Sequence, residues 1–312
     1  MLPILYSVFP KEYNRYIEVF GGSAAVLLGK PKDKFEVYND LDGDLVNLVR
    51  CIKDRLMELL LELDLLPINS REEFMELLKY QTGSSELEKY LPFQLEITDA
   101  LIPKEMAAIL KEAMHARADS KEVRRAAAYF MRMRTSYASA GRSFGCHPFS
   151  VRALFEQIRE MSERIEEVVI EQQSFEVLIP HYDRPDAFFY LDPPYFCSEY
   201  MYDADFGWEH HVLLRDILTG IKGKFLLSQA DFPEVRHLFR GFEILDFKRA
   251  HTMANRTVPG AQFGELLIAN YDLLEREREK PEQITLYEMM GVPIDIERIL
   301  KERILPCKNR TF

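Results

Sequence analysis

The sequence predicts an α/β fold, built on a doubly wound, mainly parallel sheet with a helical insertion. Two observations predict it. Short apolar runs rich in aromatic and β-branched residues alternate with stretches of helical periodicity, which is the pattern of strand–helix–strand crossovers. Between residues 69 and 149 the chain becomes mostly helical and polar, and good strand patterns resume only afterwards.

The predicted elements lie on both sides of this helical segment. Before it, strands over residues 16–20 and 35–39 flank a helix that begins near Ala24, with Ser23 placed to cap it, and an amphipathic helical stretch covers 44–61. Later strands are predicted over 168–170, 188–191, 224–228, 242–247 and 265–270. The other helices are predicted over 104–118, 121–133, 151–165, 210–221 and 233–239. The last two strands can pair antiparallel at the sheet edge.

Composition excludes several classes of protein. The 312 residues are 47% hydrophobic and 29% charged, as in ordinary globular proteins. No apolar stretch approaches the roughly 20 residues of a membrane span, and the N-terminus lacks the features of a signal peptide. The four cysteines lack Cys-x-x-Cys spacing, so we expect reduced thiols in a cytoplasmic protein and no metal site.

The charge distribution is uneven. The net charge of −11 argues mildly against nucleic acid as a partner, because phosphate contacts dominate such binding. Residues 111–142, however, contain eight basic and three acidic residues, a local charge of +5. This segment is either an ordinary solvated helix face or a positive patch for an anionic partner, and its contrast with the acidic remainder favours the patch.

The sequence Asp192-Pro193-Pro194-Tyr195 follows the apolar run 187–191, which is typical of a buried parallel strand. The prolines fix φ and remove two backbone donors, so the turn is stiff and its carbonyls are free to accept. Ligands of open α/β sheets bind at the carboxyl ends of strands. Asp192 and the Pro193 carbonyl suit an amino group, and Tyr195 can stack on a planar base. The alternative is that the turn merely ends a strand.

A second turn follows the first predicted strand. Gly21 and Gly22 allow a ligand to approach the backbone closely, and Asp40 stands at the tip of the second strand, 19 residues after Gly21. This arrangement is similar to the dinucleotide fingerprint, in which an acid at that tip binds ribose hydroxyls. The full three-glycine pattern is missing, so a single nucleoside would suffice as ligand.

Six segments together match a known family. The chain resembles the DNA adenine-specific methyltransferases of the Dam-like class, especially the phage-type members, in the family's order over most of residues 1–272. The matching segments are Tyr-Ile-Glu-Val-Phe-Gly-Gly-Ser-Ala-Ala (16–25), Val-Tyr-Asn-Asp-Leu-Asp-Gly-Asp-Leu-Val-Asn-Leu (37–48), Gly-Arg-Ser-Phe-Gly (141–145), Phe-Phe-Tyr-Leu-Asp-Pro-Pro-Tyr (188–195), Gly-Lys-Phe-Leu-Leu-Ser (223–228) and Glu-Leu-Leu-Ile-Ala-Asn-Tyr (265–271).

The resemblance implies a domain organisation and a cofactor. Residues 1–51 and 151–272 would form a Rossmann-like catalytic domain, 52–150 a helical target-recognition insertion, and 273–312 a charged helical tail. The implied cofactor is S-adenosyl-L-methionine. The residues implied to bind it are Phe20, Gly21 and Gly22 at its methionine end, Asp40 at its ribose, Phe175 at its adenine, and Asp192.

The resemblance also implies the catalytic and DNA-binding residues. Asp192 and the Pro193 carbonyl would bind the target amino group, and Tyr195 would stack on a flipped-out adenine. The expected partner is double-stranded DNA, contacted by Arg124, Arg134, Arg142 and Arg256. A cognate restriction endonuclease is a possible further partner, and we expect a monomer in the cytoplasm of a prokaryote or phage-infected cell, nucleoid-associated when on DNA.

One departure from the family leaves alternatives open. Members carry, before the segment matching residues 2–9, a stretch ending in Gly-Gly-Lys that closes over the cofactor, and Met1 stands about where that lysine should be. We therefore expect this stretch to be absent. An active adenine methyltransferase is the leading hypothesis. A DNA-binding relative with impaired catalysis and a cytosine-N4 methyltransferase are the alternatives.

Overall fold

The computed structural model describes residues 2–65, 121–136, 145, 150–196, 206–250 and 262–275. Within this part a single sheet contains seven strands. The strands are β1 (Arg15–Glu18), β2 (Phe35–Asn39), β3 (Val169–Glu171), β4 (Ala187–Leu191), β5 (Lys224–Ala230), β6 (Glu243–Ala250) and β7 (Gln262–Ala269). Their order is β3-β2-β1-β4-β5-β7-β6. The first five are mutually parallel, and β7 runs antiparallel between β5 and β6. The predicted fold class and the antiparallel final pair are confirmed.

The helices of the described part cover both faces of the sheet. They are α1 (Leu2–Ser7), α2 (Ala25–Gly29), α3 (Gly43–Asp54), α4 (Leu56–Leu65), α5 (Lys121–Thr135), α6 (Phe155–Ile165), α7 (Phe175–Tyr182), α8 (Trp208–Gly220) and α9 (Pro233–Leu238). The helix predicted over 104–118 lies outside the described residues.

The structure confirms two local helix predictions with a difference in detail and shows that a third prediction, the Ser23 cap, was wrong. The stretch 44–61 is two helices, because Arg55 leaves the helical conformation at φ −135° and ψ 39°. The helix predicted over 151–165 begins as a 3₁₀ turn over Val151–Leu154. Ser23 does not cap α2, because the cap position falls on Ala24, which is left-handed at φ 56° and makes no side-chain cap bond. The sequence reading also missed α1 and α7; Pro180 near the end of α7 hides its helical pattern.

The core consists of two apolar layers separated by the sheet. All five residues of β4 are buried, with Phe188 and Tyr190 packed into one layer and Phe189 and Leu191 into the other. Burial on both faces explains why β4 is an uninterrupted apolar run in the sequence. No helix among the described residues is long and apolar enough to cross a membrane.

The strand order creates a crevice at the carboxyl ends of β1 and β4. β1 pairs with β2 on one side and with β4 on the other. The sheet extends in opposite directions from this point, through β2 to β3 on one side and through β4 to β5 on the other. Such a reversal point is where open α/β sheets bind ligands. In the register Glu18 lies opposite Tyr190, so the glycine turn after β1 and the Asp192 turn after β4 leave the sheet side by side.

Candidate active site

The glycine turn is shaped by Tyr38 of β2. A Cβ atom on Gly21 would lie 2.2 Å from Cε2 of the Tyr38 ring, so this position has no room for a side chain. The Tyr38 hydroxyl donates to the Gly22 carbonyl at 2.7 Å. Gly22 has φ +49°, and a Cβ there would point into open space. The backbone at Gly22 therefore borders open space.

Asp40 ties the two neighbouring loops together. Its Oδ2 accepts from the Gly22 N–H at 2.8 Å and its Oδ1 from the Asp42 N–H at 2.9 Å. Burial raises the pKa of Asp40, and the two backbone hydrogen bonds partly oppose that shift because they favour the charged form. Each carboxylate oxygen can accept a further hydrogen bond, so a diol can still bind.

An aromatic wall flanks this turn. The Phe20 and Phe175 rings, both expected at the cofactor, lie 6.0 Å apart between centroids. Phe206, which the sequence reading missed, packs 5.7 Å from Phe20 and 5.8 Å from Phe175. The structure thus brings Phe20 and Phe175 together, although more than 150 positions separate them in the sequence.

Asn39 places the helix that supplies Phe175. Its side-chain amide donates to the carbonyls of Val19 and Gln173, at 2.8 and 3.0 Å, and its Oδ1 accepts from the Gln173 N–H at 2.8 Å. Asn39 is buried, and these three bonds satisfy its polar atoms. The ends of β1 and β2 and the start of α7 are therefore held as one unit.

The Asp192 turn presents its carboxylate outward. Pro193 is buried and Tyr195 is half-buried, whereas the Asp192 side chain is exposed. The hydroxyl of Ser228 on β5 donates to Asp192 Oδ1 at 2.7 Å. Gln229, the next residue of β5, accepts from the Phe196 N–H at 3.2 Å. The sequence reading gave no role to either of these β5 residues.

A second carboxyl group lies beneath this turn. Glu18 is only 2% exposed, and its Oε2 accepts from the Tyr16 hydroxyl at 2.7 Å. Burial raises the pKa of Glu18 to about 8, and the nearby charge of Asp192 adds to that shift. Glu18 is therefore mostly protonated at neutral pH, and Asp192 is its exposed, charged neighbour.

The predicted DNA-binding arginines are only partly described. Arg124 and Arg134 lie on α5, which packs on α3, with the Asn47 amide donating to the Glu122 carbonyl at 2.8 Å. Arg134 is exposed, whereas Arg124 is half-buried and its Nε has no hydrogen-bond partner in the described structure. Arg142 and Arg256 lie outside the described residues.

The fold is that of a doubly wound α/β protein with a ligand crevice at its topological switch point. The family model for D12 class N6 adenine-specific DNA methyltransferases matches residues 1–253, and the chain belongs to that family. It is similar to the type II methyltransferase M1.LlaDCHI of Lactococcus lactis subsp. cremoris, with 24% identity over 293 residues, 87% of this chain and 91% of that protein. The expected adenine specificity is confirmed, and the cytosine alternative is wrong.

Proposed function

We propose that this chain transfers the methyl group of S-adenosyl-L-methionine to N6 of an adenine flipped out of double-stranded DNA, in the crevice between the glycine turn and the Asp192 turn. The observation that supports this most is the β1–β4 register, because it sets the two turns side by side. One turn has groups suited to a nucleoside and the other has groups suited to an amino-bearing base.

The residues of the glycine turn fit the cofactor. Asp40 keeps acceptor capacity for ribose hydroxyls, and the open space beside Gly22 would admit a ligand that a Cβ would obstruct. Phe20 and Phe175 offer an apolar wall for the rest of the molecule, with Gly21 held against Tyr38 behind them. When bound, S-adenosyl-L-methionine supplies an electrophilic methyl group on a sulfonium.

The Asp192 turn would activate the target amine. The N6 lone pair of adenine is conjugated with the ring and is a poor nucleophile. Asp192 and the Pro193 carbonyl would accept hydrogen bonds from its two N–H groups, which draws the nitrogen toward sp³ geometry and frees the lone pair to form a bond to the methyl carbon. The methyl–sulfur bond breaks as this bond forms, which leaves a neutral thioether, and N6 then loses one of its two protons to solvent. The Asp192 carboxylate stabilises the positive charge that develops there. Stacking on Tyr195 offsets part of the few kcal/mol needed to unstack the base.

The DNA-binding part of the proposal concerns the insertion. We assign residues 52–150 to target recognition, because they lie within the crossover between β2 and β3 and include the segment of charge +5. Arg124, Arg134, Arg142 and Arg256 would contact phosphates and bases. The name of the Lactococcus relative supports a restriction-modification setting, with an endonuclease of the same specificity as partner. We propose that the chain acts as a monomer.

Labelled methyl transfer from S-adenosyl-L-methionine to unmethylated duplex DNA tests this function. N6-methyladenine formed by the parent chain and not by Asp192→Ala is the expected result. No transfer by the parent, together with retained DNA binding, would instead identify a relative with impaired catalysis.

Arg142→Ala tests the placement of the DNA contact. We expect weaker DNA binding with unchanged cofactor affinity, as measured by titration with a duplex and with S-adenosyl-L-methionine separately. Unchanged DNA binding with weaker cofactor binding would show that Arg142 does not contact DNA.

A further inference from the structure

We propose that Ser228 is a positioning residue that orients the Asp192 carboxylate for catalysis, and that Gln229 beside it fixes the backbone carrying Tyr195. The inference rests on the proposed role of Asp192 and extends it to β5, a strand that supplies none of the residues assigned to cofactor or base. Its starting point is two consecutive polar residues, Ser228 and Gln229, which follow the apolar run 225–227 near the carboxyl end of β5.

Ser228 is placed by strand pairing. Leu191, the last residue of β4, pairs with Leu227 of β5, so Asp192 leaves the sheet beside Ser228, which still lies within β5. Ser228 is 0% exposed and its hydroxyl is 2.7 Å from Asp192 Oδ1, against 3.4 Å from the Leu191 carbonyl. Its single proton is therefore directed at the carboxylate, because a hydrogen bond to a charged acceptor is the stronger one.

A second hydroxyl stands behind Ser228. The Tyr190 hydroxyl is 3.5 Å from Ser228 Oγ, within the buried layer. Burial raises the pKa of Tyr190, so this phenol keeps its proton and can donate to Ser228 while Ser228 donates to Asp192. Hydrogen bonds in such a chain polarise one another. The orientation of an exposed carboxylate is thus set from inside the protein.

Gln229 acts on the other end of the turn. It is 0% exposed; its Oε1 accepts from the Phe196 N–H at 3.2 Å, and its amide donates to the Pro194 carbonyl at 3.4 Å. These two backbone groups flank Tyr195, so the Gln229 side chain restrains the residue that stacks on the base. Ser228 should therefore influence the chemical step, and Gln229 the binding of DNA.

The test uses the full chain with S-adenosyl-L-methionine and duplex DNA, in the variants Ser228→Ala, Ser228→Thr, Ser228→Cys and Gln229→Met. We expect Ser228→Ala to lower kcat by about ten- to a hundredfold, the effect of losing a hydrogen bond to a charged group, with the KM for the cofactor unchanged. The acid limb of its kcat–pH profile should move to higher pH, because the lost donor favoured the charged carboxylate. Gln229→Met should raise the KM for DNA about three- to tenfold.

The remaining variants separate orientation from packing. Ser228→Thr keeps the hydroxyl and should retain kcat, whereas Ser228→Cys keeps the volume with a weak donor and should resemble the alanine variant. Thr219→Ala, which removes a 2.8 Å hydroxyl bond to the Arg215 carbonyl on α8, is the control and should match the parent. Parental kcat and pH profile in Ser228→Ala, or full activity in Ser228→Cys, would overturn the proposal. An inactive parent chain would overturn it together with the proposed function.

Discussion

The two turns at the crevice hold their carboxylates in different ways. Asp40 is half-buried, and its two carboxylate oxygens accept from the backbone N–H groups of Gly22 and Asp42, one on each oxygen. Asp192 is exposed, and it receives a side-chain hydrogen bond from Ser228 on the neighbouring strand. The Asp40 carboxylate therefore accepts from the loop backbone, whereas the Asp192 carboxylate accepts from a buried side chain of a neighbouring strand.

This difference matches the two tasks that we propose. A ribose needs a fixed acceptor in an unchanging loop, which backbone bonds supply. A base that enters from DNA needs an accessible carboxylate, and the Asp192 side chain is exposed. The buried Ser228 hydroxyl is a donor that can orient this carboxylate from behind.

Gly21→Ala should have the largest effect on folding stability and cofactor binding at the glycine turn. The added methyl would lie 2.2 Å from the Tyr38 ring, and overpacking of this kind costs about 1–3 kcal/mol in folding or local distortion. We expect thermal destabilisation and loss of measurable cofactor binding in isothermal titration calorimetry. Gly220→Ala is the matched control, because a Cβ there meets nothing within 4 Å. Equal thermal stability and equal cofactor affinity in the two variants would contradict the close approach of the Tyr38 ring to Gly21.

Asp40→Ala should weaken cofactor binding by about ten- to a hundredfold, because it removes both the diol acceptor and the two bonds that shape the turn. The same titration measures it. Asp186→Ala serves as control, since Asp186 is an exposed carboxylate paired with Arg15 at 3.8 Å. Unchanged affinity in Asp40→Ala would refute the ribose assignment.

Tyr129→Phe should have a smaller effect on the same side. The Tyr129 hydroxyl of α5 donates to Asp42 Oδ2 at 3.2 Å, and Asp42 in turn contacts Asp40. Removing this bond should raise the cofactor Kd about two- to tenfold. Tyr182→Phe, which removes a 2.6 Å bond to Glu171 at the edge strand β3, should leave the Kd unchanged. A larger loss of cofactor affinity in Tyr182→Phe than in Tyr129→Phe would show that the effect does not depend on the contact with Asp42.

Glu18→Gln should change the pH dependence of stability. The folded pKa of Glu18, about 8, lies above its ordinary value of 4.5, so the folded chain holds a proton that the unfolded chain releases. Its contribution to stability is present below pH 4.5 and is lost as pH rises through 8. The melting temperature of Glu18→Gln, relative to that of the parent, should therefore rise from pH 5 to pH 8. A constant difference between variant and parent would show that Glu18 is charged when folded.

The same contrast explains what could be predicted from the sequence. The glycine turn, Asp40 and the Asp192 turn are each read from short motifs beside buried strands, and the alternation of elements predicts the sheet. Ser228, Gln229 and Phe206 are recognised only through the register of β4 on β5 and the packing of distant rings. Such contacts depend on strand order, which no local pattern specifies. The prediction that Ser23 caps α2 was wrong for a local reason, because Ala24 takes the cap position with a left-handed backbone.

The most direct measurement compares Asp40→Ala and Asp192→Ala in one experiment that determines kcat, the KM for S-adenosyl-L-methionine, and cofactor affinity by calorimetry. We predict that Asp40→Ala raises the KM while kcat stays within a few-fold of the parent. Asp192→Ala should lower kcat by about a hundredfold to a thousandfold or more, and it should weaken cofactor binding less than Asp40→Ala does, although Asp192 is also expected beside the cofactor. A loss of cofactor affinity in Asp192→Ala as large as that in Asp40→Ala, or a loss of kcat at saturating cofactor in Asp40→Ala, would contradict the separate roles proposed for the two turns.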